Sequence, residues 1–170
     1  PSNAFPWLAL EREGVEVRQA PAMNGGLTLE TLTGLADERT RLVAASAIQF
    51  FSGQRTNLEA IGAFCREREI TFVVDAIQAI GHMAFDVQGM GIDVLATGGQ
   101  KSLLAMPGTG FLYVNAALAG TLEPYPLGPN ATVNFRNWLE YELTPQPGAG
   151  RFQMGTPNAL GLLSVRESVR

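Results

Sequence analysis

Two ionisable residues stand out because each lies at the end of an apolar run. Asp75 closes Thr71-Phe72-Val73-Val74, and Lys101 follows Asp93-Val94-Leu95-Ala96-Thr97 after Gly98, Gly99 and Gln100. A carboxylate behind a largely apolar strand must find a partner or a ligand, because burying an unpaired charge is costly. A lysine beside two glycines and an apolar loop, Ser102–Met106, can lose hydration, which favours the neutral, nucleophilic amine. Ligands of open α/β sheets bind outside the carboxyl ends of the strands. An amine and a carboxylate on that edge suit a pyridoxal phosphate site, where the amine forms a Schiff base and the carboxylate keeps the pyridine nitrogen protonated. Plainer roles stay open for both: a strand-ending Asp is commonly a turn former or helix cap, and a lone Lys is commonly solvated.

The surrounding pattern supplies the elements that would carry these residues. Val15 and Val17 alternate with Glu16 and Arg18, as in a short half-exposed strand ended by Ala20-Pro21. Thr28 can cap a helix with the apolar stripe Leu29, Leu32, Leu35 and Ala36. Leu42–Phe51 has the residue types of a buried strand. After the polar loop Ser52–Arg55, Thr56-Asn57-Leu58-Glu59 has the spacing of a capping box. The helix it opens would turn Leu58, Ala60, Ile61, Phe64 and Cys65 inward. Ile70–Asp75, Ile92–Thr97 and Gly110–Asn115 read as further strands. Strands alternating with helices through short polar connectors predict an α/β domain with a mainly parallel sheet. Pro and Gly crowd residues 124–150, read as an ordered loop or a crossover, and Ala159–Arg170 reads as a helix.

Composition narrows the function classes. The chain has 170 residues, 46% of them apolar and 16% charged, which argues for one folded domain and against disorder. A net charge of −4 disfavours a dedicated nucleic-acid binder. No apolar run reaches the roughly 18 residues of a membrane helix, and no basic-then-apolar leader is present, so a cytoplasmic setting without membrane association is expected. One cysteine and one histidine leave no internal disulfide and no multi-cysteine or histidine-rich metal centre. Residue 1 is Pro and the last helix has no stop signal, so the sequence reads as part of something larger.

The stretches VVDAIQAIGHMAFDV and GIDVLATGGQKSLLAMPGTGFLYV closely resemble the class V family of fold-type I pyridoxal-phosphate enzymes. That family includes aminotransferases, cysteine desulfurases, selenocysteine lyases and epimerase-like relatives. The resemblance rests on Asp75 with Gln78, on Gln100-Lys101, and on the turn Pro107-Gly108-Thr109-Gly110, with Lys101 following Asp75 by 26 positions. PSNAFPWL at the start and FQMGTPNALG near the end also look like family segments. It implies a three-layer α/β sandwich with a mainly parallel sheet, the pyridoxal-phosphate transferase large domain in part. Residues 1–123 would belong to that domain, 124–150 to the loop or crossover, and 151–170 to the start of a helix leading to a C-terminal part. It further implies an internal aldimine on Lys101, which also shuttles the substrate proton. Asp75 would bridge to the pyridinium nitrogen, Gln78 would donate to the phenolate oxygen and Gln100 to the phosphate. Thr156 would reach the neighbouring subunit's phosphate site in a homodimer with shared active sites. On the residues alone, Thr156 reads as a helix cap with Pro157 at the first helical position.

Departures from the family pattern temper the reaction type. Gln100 and Ser102 stand where many relatives have His and Trp, Gly98 where desulfurases often have Ser, and Phe50 where they tend to have Asn. These favour an aminotransferase-like branch acting on an amino acid and put cysteine desulfurase or selenocysteine lyase second. Cys65 is expected in the core rather than as a persulfide carrier, His82 at the surface, and Trp7 and Trp138 in packing. The family's first phosphate loop, its ring-stacking residue and its carboxylate-binding arginine are not found in these residues. The isolated chain is therefore expected to bind the cofactor weakly and turn over little. The competing reading is a non-catalytic α/β module of the same fold that serves as a dimerisation or binding partner. A nucleotide site at Gly108-Thr109-Gly110 is disfavoured because the run enters a strand, not a helix.

Overall fold

The computed structural model describes residues 2–22, 25–137 and 139–170, so the expectation for Trp138 lies outside the described residues. Four strands form one sheet in the order β1-β2-β3-β4: β1 (Leu42–Ser46), β2 (Thr71–Asp75), β3 (Val94–Gly98) and β4 (Gly110–Val114). The first three run parallel and β4 is antiparallel to β3, so the sheet is mixed and mainly parallel, as the sequence predicts. Helices α1 (Phe5–Ala9), α2 (Leu29–Leu35), α3 (Leu58–Glu67), α4 (Ala116–Thr121) and α5 (Ala159–Ser168) complete the regular structure, with short 3-10 turns between them.

Register decides which side chains share a face. Val43 pairs with Phe72, Ala45 with Val74, and Val74 with Leu95. These five are buried, in one core with Leu58, Ile61, Phe64 and Cys65 of α3. The inward face expected for α3 is therefore correct except for Ala60, which is half-buried. The opposite face carries Ala44, Val73, Asp75 and Ala96, none of them fully buried. There α1 is tethered by Asn3, whose Nδ2 donates to Ser46 Oγ at 3.3 Å and whose Oδ1 accepts from Trp7 Nε1 at 3.0 Å.

Three expectations change. Residues 15–18 are extended but belong to no sheet. They are held by ions instead: Arg18 pairs with Glu16 at 2.6 Å and Asp37 at 2.8 Å and donates to Leu35 O. The strand begun at Leu42 stops at Ser46 rather than Phe51, because β2 ends at Asp75, whose carbonyl accepts from Ala47 N at 2.9 Å. Beyond it the chain turns through Gly53, and Phe50 and Phe51 are exposed. Asn57, not Thr56, caps α3 by accepting from Ala60 N. Thr56 is buried and spends its hydroxyl on Ser46 O at 2.7 Å. The cap expected at Thr28 is present, accepting from Thr31 N.

Residues 124–150 hold 3-10 turns at Pro129–Ala131 and from Gly148, and an antiparallel bridge joins Thr132 to Pro145. Arg151 pins this loop to α4 through Ala119 O at 2.6 Å and Leu122 O at 3.1 Å. Among the described residues, no helix is long and apolar enough to cross a membrane. Phe72 has no accessible surface at the centre of the core. Phe72→Ala should lower the unfolding free energy by about 3–5 kcal/mol, measured by denaturant unfolding.

Candidate active site

Parallel pairing of β2 with β3 sets Asp75 beside Ala96, so both strands deliver their carboxyl ends to one edge. The chain leaves β2 through a tight turn in which Asp75 Oδ1 accepts from Ile77 N at 3.0 Å. It leaves β3 through Gly99, whose N–H donates to Thr109 O at 2.7 Å and whose carbonyl accepts from Ala105 N at 2.8 Å. Between the two exits lies a cleft of about 580 Å³ lined by Asp75, Ile77, Gln78, Gly98 and Lys101. Val73 and Ala96 contribute apolar wall, and Trp7, Phe50 and Phe111 add aromatic surface.

Of the residues singled out from the sequence, Asp75, Gln78 and Lys101 come together in this cleft. Asp75 also acts as the turn former that was the plainer alternative. Gln100 is exposed outside the lining, with its amide against Gly98: a Cβ there would stand 2.5 Å from Gln100 Oε1. Thr156 is exposed and outside the lining. It does not cap a helix, because α5 starts at Ala159 and Asn158 Oδ1 accepts from Gly161 N at 3.0 Å. Pro157 is correspondingly not at the first helical position.

Lys101 is exposed, so the dehydration expected from its neighbours is not realised among the described residues. Among the described residues, no hydrogen bond or ion pair engages its amine, and none joins it to Asp75. His82 is exposed, as expected. Trp7 bonds to Asn3 and lines the cleft. No group of acidic, Cys or His side chains able to hold a metal occurs among the described residues.

Sequence reading passed over three features here. Ile77 lines the cleft between Asp75 and Gln78. The Ser102 hydroxyl donates to Ile77 O at 3.2 Å. Ser164 of α5 accepts from Met106 N at 3.1 Å. Only Ile77 had a signal, its place inside the Asp-x-x-Gln motif; the serine contacts span 25 and 58 positions and leave no local pattern.

The Aminotransferase class-V family model matches residues 1–170. The chain belongs to that family. It is 36% identical over 169 residues to a probable cysteine desulfurase of Methanothermobacter thermautotrophicus, covering 99% of this chain and 42% of that protein. It superposes on the apo cysteine desulfurase of Thermococcus onnurineus NA1 with a TM-score of 0.86 at 29% identity, covering 99% of this chain and 42% of that one. A mutant of C-DES with glycine covalently linked to its PLP cofactor matches with a TM-score of 0.82 at 25% identity, covering 96% of this chain and 45% of that one. The chain thus spans about two fifths of the length of the curated relatives it matches.

The family's cofactor is pyridoxal phosphate, and the cleft fits it chemically: an amine, a carboxylate and an amide share one edge with apolar wall between them. Cys65 is unsuited to nucleophilic work in this setting. Burial, and next the charge of Asp93, push its thiol up to about 11, so it stays protonated at neutral pH. Mass spectrometry after alkylation at neutral pH should find the Cys65 peptide unmodified in the folded protein and modified once the fold is lost.

Proposed function

We propose that this chain is the cofactor-binding core of a pyridoxal-phosphate-dependent enzyme that acts on an amino acid. The observation that carries the reading is the shared cleft of Asp75, Gln78 and Lys101 at the carboxyl ends of β2 and β3. Residues 1–123 belong in this reading to the large domain, 124–150 to the loop or crossover, and 151–170 to the start of a helix leading to a C-terminal part. The working form is a cytoplasmic homodimer with shared active sites, in which exposed Thr156 reaches the phosphate site of the neighbouring subunit.

Each residue then has a defined task. Lys101 would hold the cofactor at its aldehyde, and its amine would move the proton at the substrate's α-carbon. The Asp75 carboxylate holds the proton on the pyridine nitrogen, its Oδ1 already oriented by the Ile77 amide. Gln78 donates to the phenolate oxygen, and Gln100 to the phosphate. Val73, Ile77 and Ala96 would give the cofactor ring an apolar wall to lie against. When bound, pyridoxal phosphate supplies an electron sink for charge developing at the α-carbon.

Carbon–sulfur cleavage is the reaction type that the relatives' names support, because the similar proteins are cysteine desulfurases. This reverses the order drawn from the departures at Phe50, Gly98 and Gln100. Cys65 does not serve as the sulfur acceptor in this reading, because it is buried in the core. Transamination remains the second reading, favoured by the aromatic Phe50 at the cleft.

Borohydride reduction of the full-length protein with its cofactor, followed by digestion, should leave the pyridoxyl mark on the Lys101 peptide. A mark on another peptide rejects Lys101 as the attachment point, and no mark at all leaves the non-catalytic module. Asp75→Asn should cut turnover by about a hundredfold or more, the scale of losing one aligned electrostatic group. Release of sulfide from cysteine, against transfer of its amino group to a 2-oxo acid, decides between the two reaction types.

A further inference from the structure

The segment that carries Lys101 is fastened on two sides. Toward β2, the Ser102 hydroxyl donates to the carbonyl of Ile77, which sits inside the turn between Asp75 and Gln78. The same two loops also meet backbone to backbone. Gly81 has φ +99°, and a Cβ placed on it would stand 2.6 Å from the Ser102 carbonyl oxygen. On the far side, Ser164 of α5 accepts from Met106 N, and α5 approaches so closely that a side chain at Gly161 would collide with Thr109 Oγ1. Leu103 and Ala105 are buried beneath the segment. The Lys101 side chain, by contrast, is exposed and has no polar partner among the described residues. Its position is therefore inherited from the backbone, and the adjacent residue ties that backbone to the Asp75 turn.

We propose that Ser102 is a positioning residue: its bond to Ile77 O fixes the Lys101 backbone against the turn that presents Asp75 and Gln78. The proposal rests on the cofactor reading above. A fixed spacing matters there because a misplacement of about 1 Å at a reacting group can cost roughly a hundredfold in rate. Ser164 makes a bond of the same kind on the side away from the cleft. It stabilises the segment without linking it to Asp75.

The test uses the full-length protein and the variants Ser102→Ala, Ser102→Thr and Ser164→Ala. Three quantities are read: the pyridoxal phosphate Kd of the apo-protein, the pH midpoint of the bound cofactor's visible band, and the melting temperature. Ser102→Ala should raise the Kd by about three- to tenfold, the scale of one hydrogen bond, and move the pH midpoint. Ser102→Thr should restore both. Ser164→Ala should lower the melting temperature and leave the pH midpoint in place. Should the alanine variant not fold, Ser102→Cys keeps the size with a much weaker donor and is read in the same way. A Kd and midpoint unchanged by loss of the hydroxyl overturn the proposal, as does a midpoint moved equally by Ser164→Ala. A wild-type protein with no visible band on cofactor addition refutes the cofactor reading itself, a failure distinct from both.

Discussion

Asp75 pairs in register with Ala96, and the cleft depends on this parallel alignment of β2 and β3. Parallel strands point their carboxyl ends the same way, so the residues that leave them emerge on one edge however far apart they lie in sequence. A slip of one position would turn Asp75 into the α3-packed core and expose Phe72 and Val74. Packing enforces the register: Phe72, Val74, Leu95, Leu58 and Ile61 are almost wholly buried together. The core beneath α3 thereby fixes which carboxylate faces the cleft.

The two faces of the sheet are unequal. One is sealed by α3, while on the other the described residues place the short α1, tethered through Asn3, and the aromatic surfaces of Trp7, Phe50 and Phe111. Fold-type resemblance implied a three-layer sandwich, and on this second face the described residues supply a sparse layer. The exposed state of Lys101 follows from that asymmetry. A lysine on a half-covered face keeps its side chain in solvent.

Local chemistry made the central strands legible. Ile70–Asp75 is a β-rich run, and β2 spans Thr71–Asp75, one residue shorter. Asp75 and Lys101 stood out as strand-end residues, Gln78 came only with the family resemblance, and the three line one cleft. What misled was competition for partners over one or two residues. Thr56 and Asn57 both suit a cap, and Thr56 is taken by Ser46 O, which leaves Asn57 to cap α3. Thr156 and Asn158 present the same choice, settled by the Asn158 bond to Gly161 N. Alternation at Val15 and Val17 has the period of a strand, but a strand needs a neighbour, and Arg18 finds carboxylates instead.

The departures around the lysine also gain a physical meaning. Gly98 and Gln100 are not independent, because the Gln100 amide occupies the space that a side chain at 98 would need. A residue such as Ser at 98 would push that amide away, so the glycine and the glutamine form one compatible pair. Read singly, each looks like a loss from the desulfurase pattern. Read together, they describe a different filling of the same strand end, and the identity to cysteine desulfurases across nearly the whole chain is compatible with that. The departures at 98 and 100 therefore describe how the chain packs where it leaves β3, beside the cleft.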